Sequence, residues 1–457
     1  MMGRTTGGLR QGPPFSNPAR LLALSFLGVI VLGTTLLMLP PATRDGQGAD
    51  FLTALFTATS ATCVTGLIVE DTGAYFSGFG QGVILAMIQV GALGIMTFSS
   101  FVALALGRRL GIRQRAALQE VMDQADAKSL VRLIGFILKM TFLVELVGAV
   151  VLALIWHRWY PDWGRAAYLG VFHSVSAFCN AGFSLFRDSL VGFKGDLGIV
   201  MTMSLLIILG GLGFPVTMEL IQRDTLGRLF WRRRSPLSVH TKLVLIVTGG
   251  LLAAGMGWFL WLEWGNTLKG LPIGQKIMAA WFQSVTARTA GFNTVEIGAL
   301  RGATLFLLMI WMFVGASPGG TGGGVKTTTL GILVLSVRAA LRGREEVEAF
   351  GRALSPRLVY RAVSIAVVGT GLLGTFAALL LATQAGRPLG VAFEAVSAFG
   401  TVGLSTGATP YLTPLGRVLV VTLMFAGRLG PLTLTLAIRE RAYEGARRLP
   451  SARVMTG

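Results

Sequence analysis

Charge is scarce in this chain. Only 13% of its 457 residues are charged and 53% are hydrophobic, against roughly 25% charged in an ordinary soluble domain. One soluble core of this length cannot hide so much apolar side chain, so lipid is the expected solvent. Cysteine is scarcer still. Cys63 and Cys179 are the only two, with no CxxC pair, which argues against a disulfide framework or a structural zinc site. Of the three histidines, His173 is adjacent to Ser174, while His157 and His240 lie near span ends. No nucleophile–base constellation repeats, and an intramembrane hydrolase is disfavoured.

Acidic residues are few: 21 against 40 Lys and Arg, for a formal charge of +19. No nucleic-acid recognition motif accompanies the excess. The basic residues cluster between long apolar stretches, at Arg108, Arg109, Arg113 and Arg115; at Arg228, Arg232, Arg233 and Arg234; at Arg338, Arg342 and Arg344; and at Arg439, Arg441, Arg447 and Arg448. Cytoplasmic loops carry this excess under the positive-inside rule.

Stretches long enough to cross a bilayer fall near 20–40, 78–107, 131–156, 195–221, 241–262, 302–336, 359–384 and 415–438; a span takes about 20 apolar residues. Eight spans, with basic clusters after every second one, place both termini in the cytoplasm. Met1 to Pro18, with Arg4 and Arg10, reads as a cytoplasmic tail and not as a cleaved leader. Between the spans of each pair lies a shorter apolar segment, near 50–61, 166–177, 274–287 and 388–398, of re-entrant length.

These short segments are one motif written four times. They read FTATSAT from Phe56, FHSVSAF from Phe172, FQSVTAR from Phe282 and FEAVSAF from Phe393. Ala61, Ala177, Ala287 and Ala398 follow each Phe by five residues. Each segment runs on to a glycine before a large apolar residue: Gly66-Leu67, Gly182-Phe183, Gly291-Phe292 and Gly403-Leu404. The glycines recur at intervals of 116, 109 and 112 residues, an internal repeat. The third copy is one residue shorter between Ala and Gly. The second spans repeat as well, with GALG at Gly91–Gly94, GGLG at Gly210–Gly213 and GRLG at Gly427–Gly430.

The expected fold is therefore an all-α membrane protein with eight transmembrane helices and four re-entrant half-helices. Four span–half-helix–span repeats surround a pseudo-fourfold axis. Non-helical backbone at membrane depth survives where it is buried in protein or lines a water-filled cavity. Four loops converging on an axis meet that condition, and their carbonyls can replace a cation's hydration shell. The loops are Thr62-Cys63-Val64-Thr65-Gly66, Phe178-Cys179-Asn180-Ala181-Gly182, Arg288-Thr289-Ala290-Gly291 and Gly400-Thr401-Val402-Gly403. They hold no ring of acids, so backbone coordination of a monovalent cation fits best. Cys63 and Cys179 share one level, and Arg288 stands at the same offset in the third loop. Its charge is expected to pair with an acid or to reach the outer surface, and the residue to act either as a structural brace behind the loops or directly on the ion.

The sixth span is interrupted. Gly315-Ala316-Ser317-Pro318-Gly319-Gly320-Thr321-Gly322-Gly323-Gly324-Val325-Lys326 carries six glycines and a proline, all poor in a helix interior. A phosphate-binding loop needs Gly directly before Lys, and Val325 intervenes. A broken helix below the loops, able to block and release an axial path, is expected. Arg428 sits mid-span in the last helix, where a charge costs about 2.5–3.5 kcal/mol on insertion scales. It must face protein or water, and can hydrogen-bond the carbonyls of the broken segment. An alternating-access transporter coupled to H+ or Na+ would want midplane acids; Glu145 and Glu219 are the few candidates, and neither is repeated.

The segments SATCVTGL, SAFCNAGF, TARTAGFNT and SAFGTVGLST, with GASPGGTGGGVKT and GRLGPLT, resemble the Trk/Ktr/HKT potassium transporter superfamily over roughly residues 20–440. The chain starts directly with the first repeat, as in the KtrB branch. The resemblance implies K+ uptake, often with Na+ as activator, and no organic cofactor in this chain. It implies a homodimer with one pore per protomer in the bacterial inner membrane, sitting on a cytosolic KtrA-like RCK ring that binds ATP/ADP or NAD(H). Partners are then lipid and these proteins, not nucleic acid. Glycine in all four loops resembles K+-preferring members; plant relatives with Ser in the first favour Na+. The resemblance carries filter roles to the four loops and gate roles to Gly315–Lys326 and Arg428. The expected organisation is a tail at 1–19, repeats at 20–107, 131–222, 239–336 and 357–438, and a tail at 439–457.

Overall fold

The computed structural model describes residues 18–107, 127–221 and 236–430. The clusters at Arg108–Arg115, Arg228–Arg234 and Arg439–Arg448 lie outside the described residues, as do the N-terminal arginines. Arg338, Arg342 and Arg344 lie within them.

The described chain is helical apart from one hairpin, Glu348–Ala349 against Arg352–Ala353. Each repeat contributes an outer helix, a short helix and an inner helix. The outer helices are Pro18–Leu37, Ala127–Trp156, Val239–Glu263 and Pro356–Thr383. The short helices are Phe51–Thr62, Trp163–Phe178, Ile273–Thr286 and Pro388–Gly400. The inner helices begin at Gly78, Leu197, Gly302 and Pro414. No repeat is merely a copy, because the inner helices differ. The first runs straight to Gly107. The second turns by 101° between Leu197–Leu212 and Phe214–Ile221, at Gly213 with φ +86°. The third is split into Gly302–Phe313 and Thr327–Leu341, and the fourth spans Pro414–Leu429. Among the described residues, five helices are long and apolar enough to cross a bilayer, six with the bent pair counted as one span. Of the eight expected spans, the sixth is interrupted as expected and the fourth is also broken, at Gly213.

The short helices start and stop for readable reasons. Asp50 accepts the N–H groups of Leu52 and Thr53 at 3.1 and 3.0 Å. Asp162 does the same for Gly164 and Arg165 at 3.0 and 3.1 Å. Both satisfy amides that a helix leaves unpaired at its first turn. The fourth short helix instead places Pro388 in its first turn, where no N–H is needed. Phe56, Phe172, Phe282 and Phe393 are all buried, as are the four repeated alanines. Lipid is as apolar as these rings, so what they add is close packing rather than transfer from water. The opposite behaviour marks the perimeter: Leu143, Leu146, Val150 and Leu154, along one stripe of the second outer helix, are each more than half exposed.

Glycine lets the inner helices approach the short ones. A Cβ on Gly91, Gly210 or Gly427 would collide with the carbonyl of Thr62, Phe178 or Phe399. Each is the carbonyl four residues before its own repeat's loop glycine. This close backbone approach fixes the depth of the loops in three repeats.

Candidate functional site

Each short helix ends in a loop that turns the same way. The residue two before each glycine has positive φ: Val64 +55°, Asn180 +59°, Thr289 +72° and Thr401 +50°. So does the glycine: Gly66 +91°, Gly182 +73°, Gly291 +80° and Gly403 +90°. Asparagine tolerates this region; a β-branched residue there is an outlier held by its surroundings.

The holding groups are the hydroxyls at the fifth position of the repeated motif. Ser60 Oγ accepts the Gly66 N–H at 3.0 Å, and Ser397 Oγ accepts that of Gly403 at 3.1 Å. Ser176 Oγ donates to the Phe183 carbonyl at 2.8 Å, and Thr286 Oγ1 to that of Phe292 at 2.6 Å. The same four residues receive loop amides on their backbone carbonyls. The N–H groups of Thr65, Ala181 and Val402 reach back five residues to Ser60, Ser176 and Ser397 at 2.8, 2.7 and 2.8 Å. In the third loop the Ala290 N–H reaches back only four, to Thr286 at 3.0 Å. The missing residue is absorbed there, and the third glycine keeps its place.

The four glycines close a ring. A Cβ on Gly66 would lie 2.5 Å from the Ala181 carbonyl oxygen, and one on Gly182 would lie 2.8 Å from that of Ala290. A Cβ on Gly291 would lie 2.6 Å from the Val402 oxygen, and one on Gly403 would overlap the Thr65 oxygen. Each glycine thus abuts the peptide just before the next repeat's glycine, and the fourth abuts the first. No larger residue fits without displacing backbone.

Behind the ring, the residue after each repeated Phe is polar and buried: Thr57, His173, Gln283 and Glu394. Glu394 accepts from Ser405 at 2.9 Å, the Thr406 amide at 2.8 Å and Thr409 at 2.6 Å. His173 Nε2 meets Ser184 Oγ at 3.1 Å. Both pin the chain as it leaves its loop. These positions and the motif hydroxyls recur at one offset in all four repeats, the one signal of their work that the sequence carries. His173 and Ser174 do not pair, since Ser174 donates to the Glu145 carbonyl at 2.7 Å.

The level three residues before the glycine is unequal. Cys63 and Cys179 are buried. The Cys179 thiol lies 3.6 Å from both Gln89 Oε1 and Glu145 Oε1, and Gln89 donates to Glu145 at 3.2 Å. Glu145 therefore sits in a buried cluster behind the second loop. Glu219 lies elsewhere, accepting from Ser238 and Thr241. Arg288 is 7% exposed. Its Nε has no partner, and no carboxylate pairs with it among the described residues. Among the described residues the guanidinium neither meets an acid nor reaches the surface: it stays inside.

Directly against the ring lies the irregular segment 314–326. It is a folded loop, opened by a parallel bridge between Val314 and Val325. It touches the second, third and fourth repeats directly. The Ser317 and Thr321 amides donate to the carbonyls of Gly211 and Gly210 at 3.0 and 3.1 Å, groups freed by the bend at Gly213. Thr321 Oγ1 donates to the Phe178 carbonyl at 3.2 Å. The Gly323 amide donates to Thr401 Oγ1 at 3.0 Å, and a Cβ on Gly322 would overlap the Thr289 hydroxyl. Arg428, 2% exposed, donates to the carbonyls of Thr321 and, at 2.8 Å, Gly91. It ties the loop to the inner helices of the first and fourth repeats. Lys326 Nζ turns back to the Gly322 carbonyl at 2.7 Å.

Fold and site together define a multi-pass, all-α membrane protein of four repeats, with four loops ringing an axis. Residues 11–444 match the family model described as TrkH, cation transport protein, and the chain belongs to that family. It is 38% identical to the Ktr system potassium uptake protein B of Bacillus subtilis, covering 96% of this chain and 97% of that one. It is 35% identical to the potassium/sodium uptake protein NtpJ of Enterococcus hirae, covering 96% and 97%. The crystal structure of the potassium transporter TrkH from Vibrio parahaemolyticus has the same fold, with a TM-score of 0.73 at 16% identity over 95% of this chain and 87% of that chain.

Proposed function

We propose that this chain is a potassium-uptake protein that passes K+ through the ring of loop carbonyls. The observation that carries this reading is the cyclic contact of Gly66, Gly182, Gly291 and Gly403 with the carbonyls of Ala181, Ala290, Val402 and Thr65. A ring of backbone oxygens can take the place of an ion's water shell, and the positive-φ turns present backbone without side-chain obstruction. The relatives named for potassium uptake supply the ion. The filter is then residues 62–66, 178–182, 288–291 and 400–403, and the repeats keep the boundaries expected from the sequence. Segment 315–326 is the gate, with Arg428 as its latch and Lys326 as its brace.

Further parts of the reading have separate support. A relative named for potassium and sodium uptake favours Na+ as a second ion or activator. The word "system" in the Ktr names favours a partner subunit, read here as a cytosolic RCK ring binding ATP/ADP or NAD(H). The fourth outer helix, where only Ala362, Gly369 and Leu380 are buried, leaves a face for a second protomer. The basic clusters favour cytoplasmic termini in a bacterial inner membrane.

The test is uptake of K+, Rb+ and Na+ into proteoliposomes by the wild type and by Gly66→Ser, with and without a cytosolic partner. K+ and Rb+ should enter in preference to Na+, and Gly66→Ser should erode that preference severalfold. Equal relative uptake by the two proteins would remove Gly66 from the filter. No cation flux under any condition would overturn the reading.

A further inference from the structure

Beyond the ring and the loop, the described residues contain a cavity of about 640 Å³ between the third outer helix and Thr327–Leu341. This is within the roughly 300–1,000 Å³ of ordinary ligand pockets. Its two ends differ. At one end Val247 and Leu251 face Leu330 and Val334. This end is deep, since the Leu251 carbonyl accepts Trp311 Nε1 at 3.1 Å, beside the third short helix. At the other end are Arg338 and Arg342, one turn apart on a single face and at the end of their helix. Neither pairs with a carboxylate among the described residues. The rim also holds Arg344, Glu346 and Glu348, but Arg344 and Glu348 neutralise each other at 3.1 Å. The rim is thus net cationic, and Lys242 lies over the ring of Phe350, 5.6 Å from its centroid.

An apolar groove with a cationic mouth has the polarity of a phospholipid read from tail to headgroup. Basic pockets between transmembrane helices on the cytoplasmic side suit anionic headgroups. The surface around the mouth favours lipid over a soluble ligand, because Ile246, Val334 and Val337 are exposed at 60, 58 and 59%. We propose that this groove binds one anionic phospholipid, its acyl chain along Leu251 and Val334 and its phosphate at Arg338 and Arg342. The bound lipid lies against the helix that begins where the gate loop ends, at Lys326. Its effect on gating rests on the gate reading above; its binding does not.

Binding is therefore measured without flux. The purified full chain in detergent is titrated with phosphatidylglycerol and with phosphatidylcholine, and bound lipid is counted by native mass spectrometry. One phosphatidylglycerol should be retained in preference to phosphatidylcholine. The double variant Arg338→Gln/Arg342→Gln should weaken that retention about thirtyfold, at about 1 kcal/mol per basic residue. Arg338→Lys/Arg342→Lys should keep it within a few fold. Val334→Trp, which fills the groove with the arginines intact, should also lose it. Equal retention of both lipids, or wild-type retention by the Gln variant, overturns the proposal. So does disulfide cross-linking of two protomers through Val334→Cys, which would make the occupant a second copy. Phosphatidylglycerol bound normally in a chain that carries no ion would leave the lipid site standing and sink only the transport reading.

Discussion

At the scale of single residues, the loops depend on side chains that never reach the axis. Val64, Thr289 and Thr401 are β-branched residues at positive φ, each costing about 1–3 kcal/mol. They stay there because Ser60, Thr286 and Ser397 hold the turns from behind, as Ser176 holds that of Asn180. The two modes of holding differ in consequence. Ser397→Ala leaves the Gly403 amide buried and unpaired, an expected loss of about 1–3 kcal/mol of stability. Thr286→Ala frees a carbonyl, which tolerates under-satisfaction better than an amide does. Thermal unfolding of the two variants in detergent should therefore show Ser397→Ala losing more, and K+ preference over Na+ should fall with it. If Thr286→Ala is the more damaging, the hydroxyls act as packing groups and not as acceptors. The hydroxyls were legible in the sequence as a recurrence. Their work was not, because whether each donates or accepts depends on loop backbone that a motif does not encode. Arg288 is the opposite case: its level was readable from spacing, and its unpaired burial was not.

At the scale of elements, the loop at 314–326 is held by bonds of identifiable origin. Six glycines announced a broken helix. They did not announce that a second break, at Gly213, frees the carbonyls of Gly210 and Gly211 for the loop to cap. The two irregularities satisfy each other, which a residue-by-residue reading cannot see. Four bonds join the loop to Gly210, Gly211, Phe178 and Thr401, at about 1 kcal/mol net each. Arg428 adds charge-assisted bonds worth about 1.5–3 kcal/mol. Displacing the loop then costs several kcal/mol and is rare at rest. Arg428→Ala removes the charged share, so the displaced fraction should rise roughly 10- to 100-fold, with K+ flux rising in step. Arg428→Lys keeps a charge without the fork that spans Thr321 and Gly91, and should fall between. Unchanged flux in proteoliposomes for Arg428→Ala, in a protein that elutes and unfolds like the wild type, would end the latch assignment.

At the scale of the whole molecule, four unequal repeats share one ring. Among the described residues the second inner helix is bent and the third is broken, unlike the first, yet the glycines abut one another in unbroken cyclic order. The repeat intervals made four converging loops legible; the contact of each glycine with the next repeat's peptide required the folded chain, because it crosses more than 100 residues each time. The ring therefore belongs to no single repeat, and a Cβ at any one position should disturb all four. Every one of Gly66→Ala, Gly182→Ala, Gly291→Ala and Gly403→Ala also places alanine at positive φ, costing about 1–2 kcal/mol. This cost is common to the series, so differences within it report the collision across each seam. Gly403→Ala meets the Thr65 oxygen most closely and should lose most discrimination of K+ over Na+. Gly182→Ala, whose Cβ would sit 2.8 Å from the Ala290 oxygen, should lose least. Paired K+ and Na+ uptake by the four variants tests this order. If any variant keeps wild-type discrimination while folding normally, the ring is not one coordinated unit, and its seams act separately.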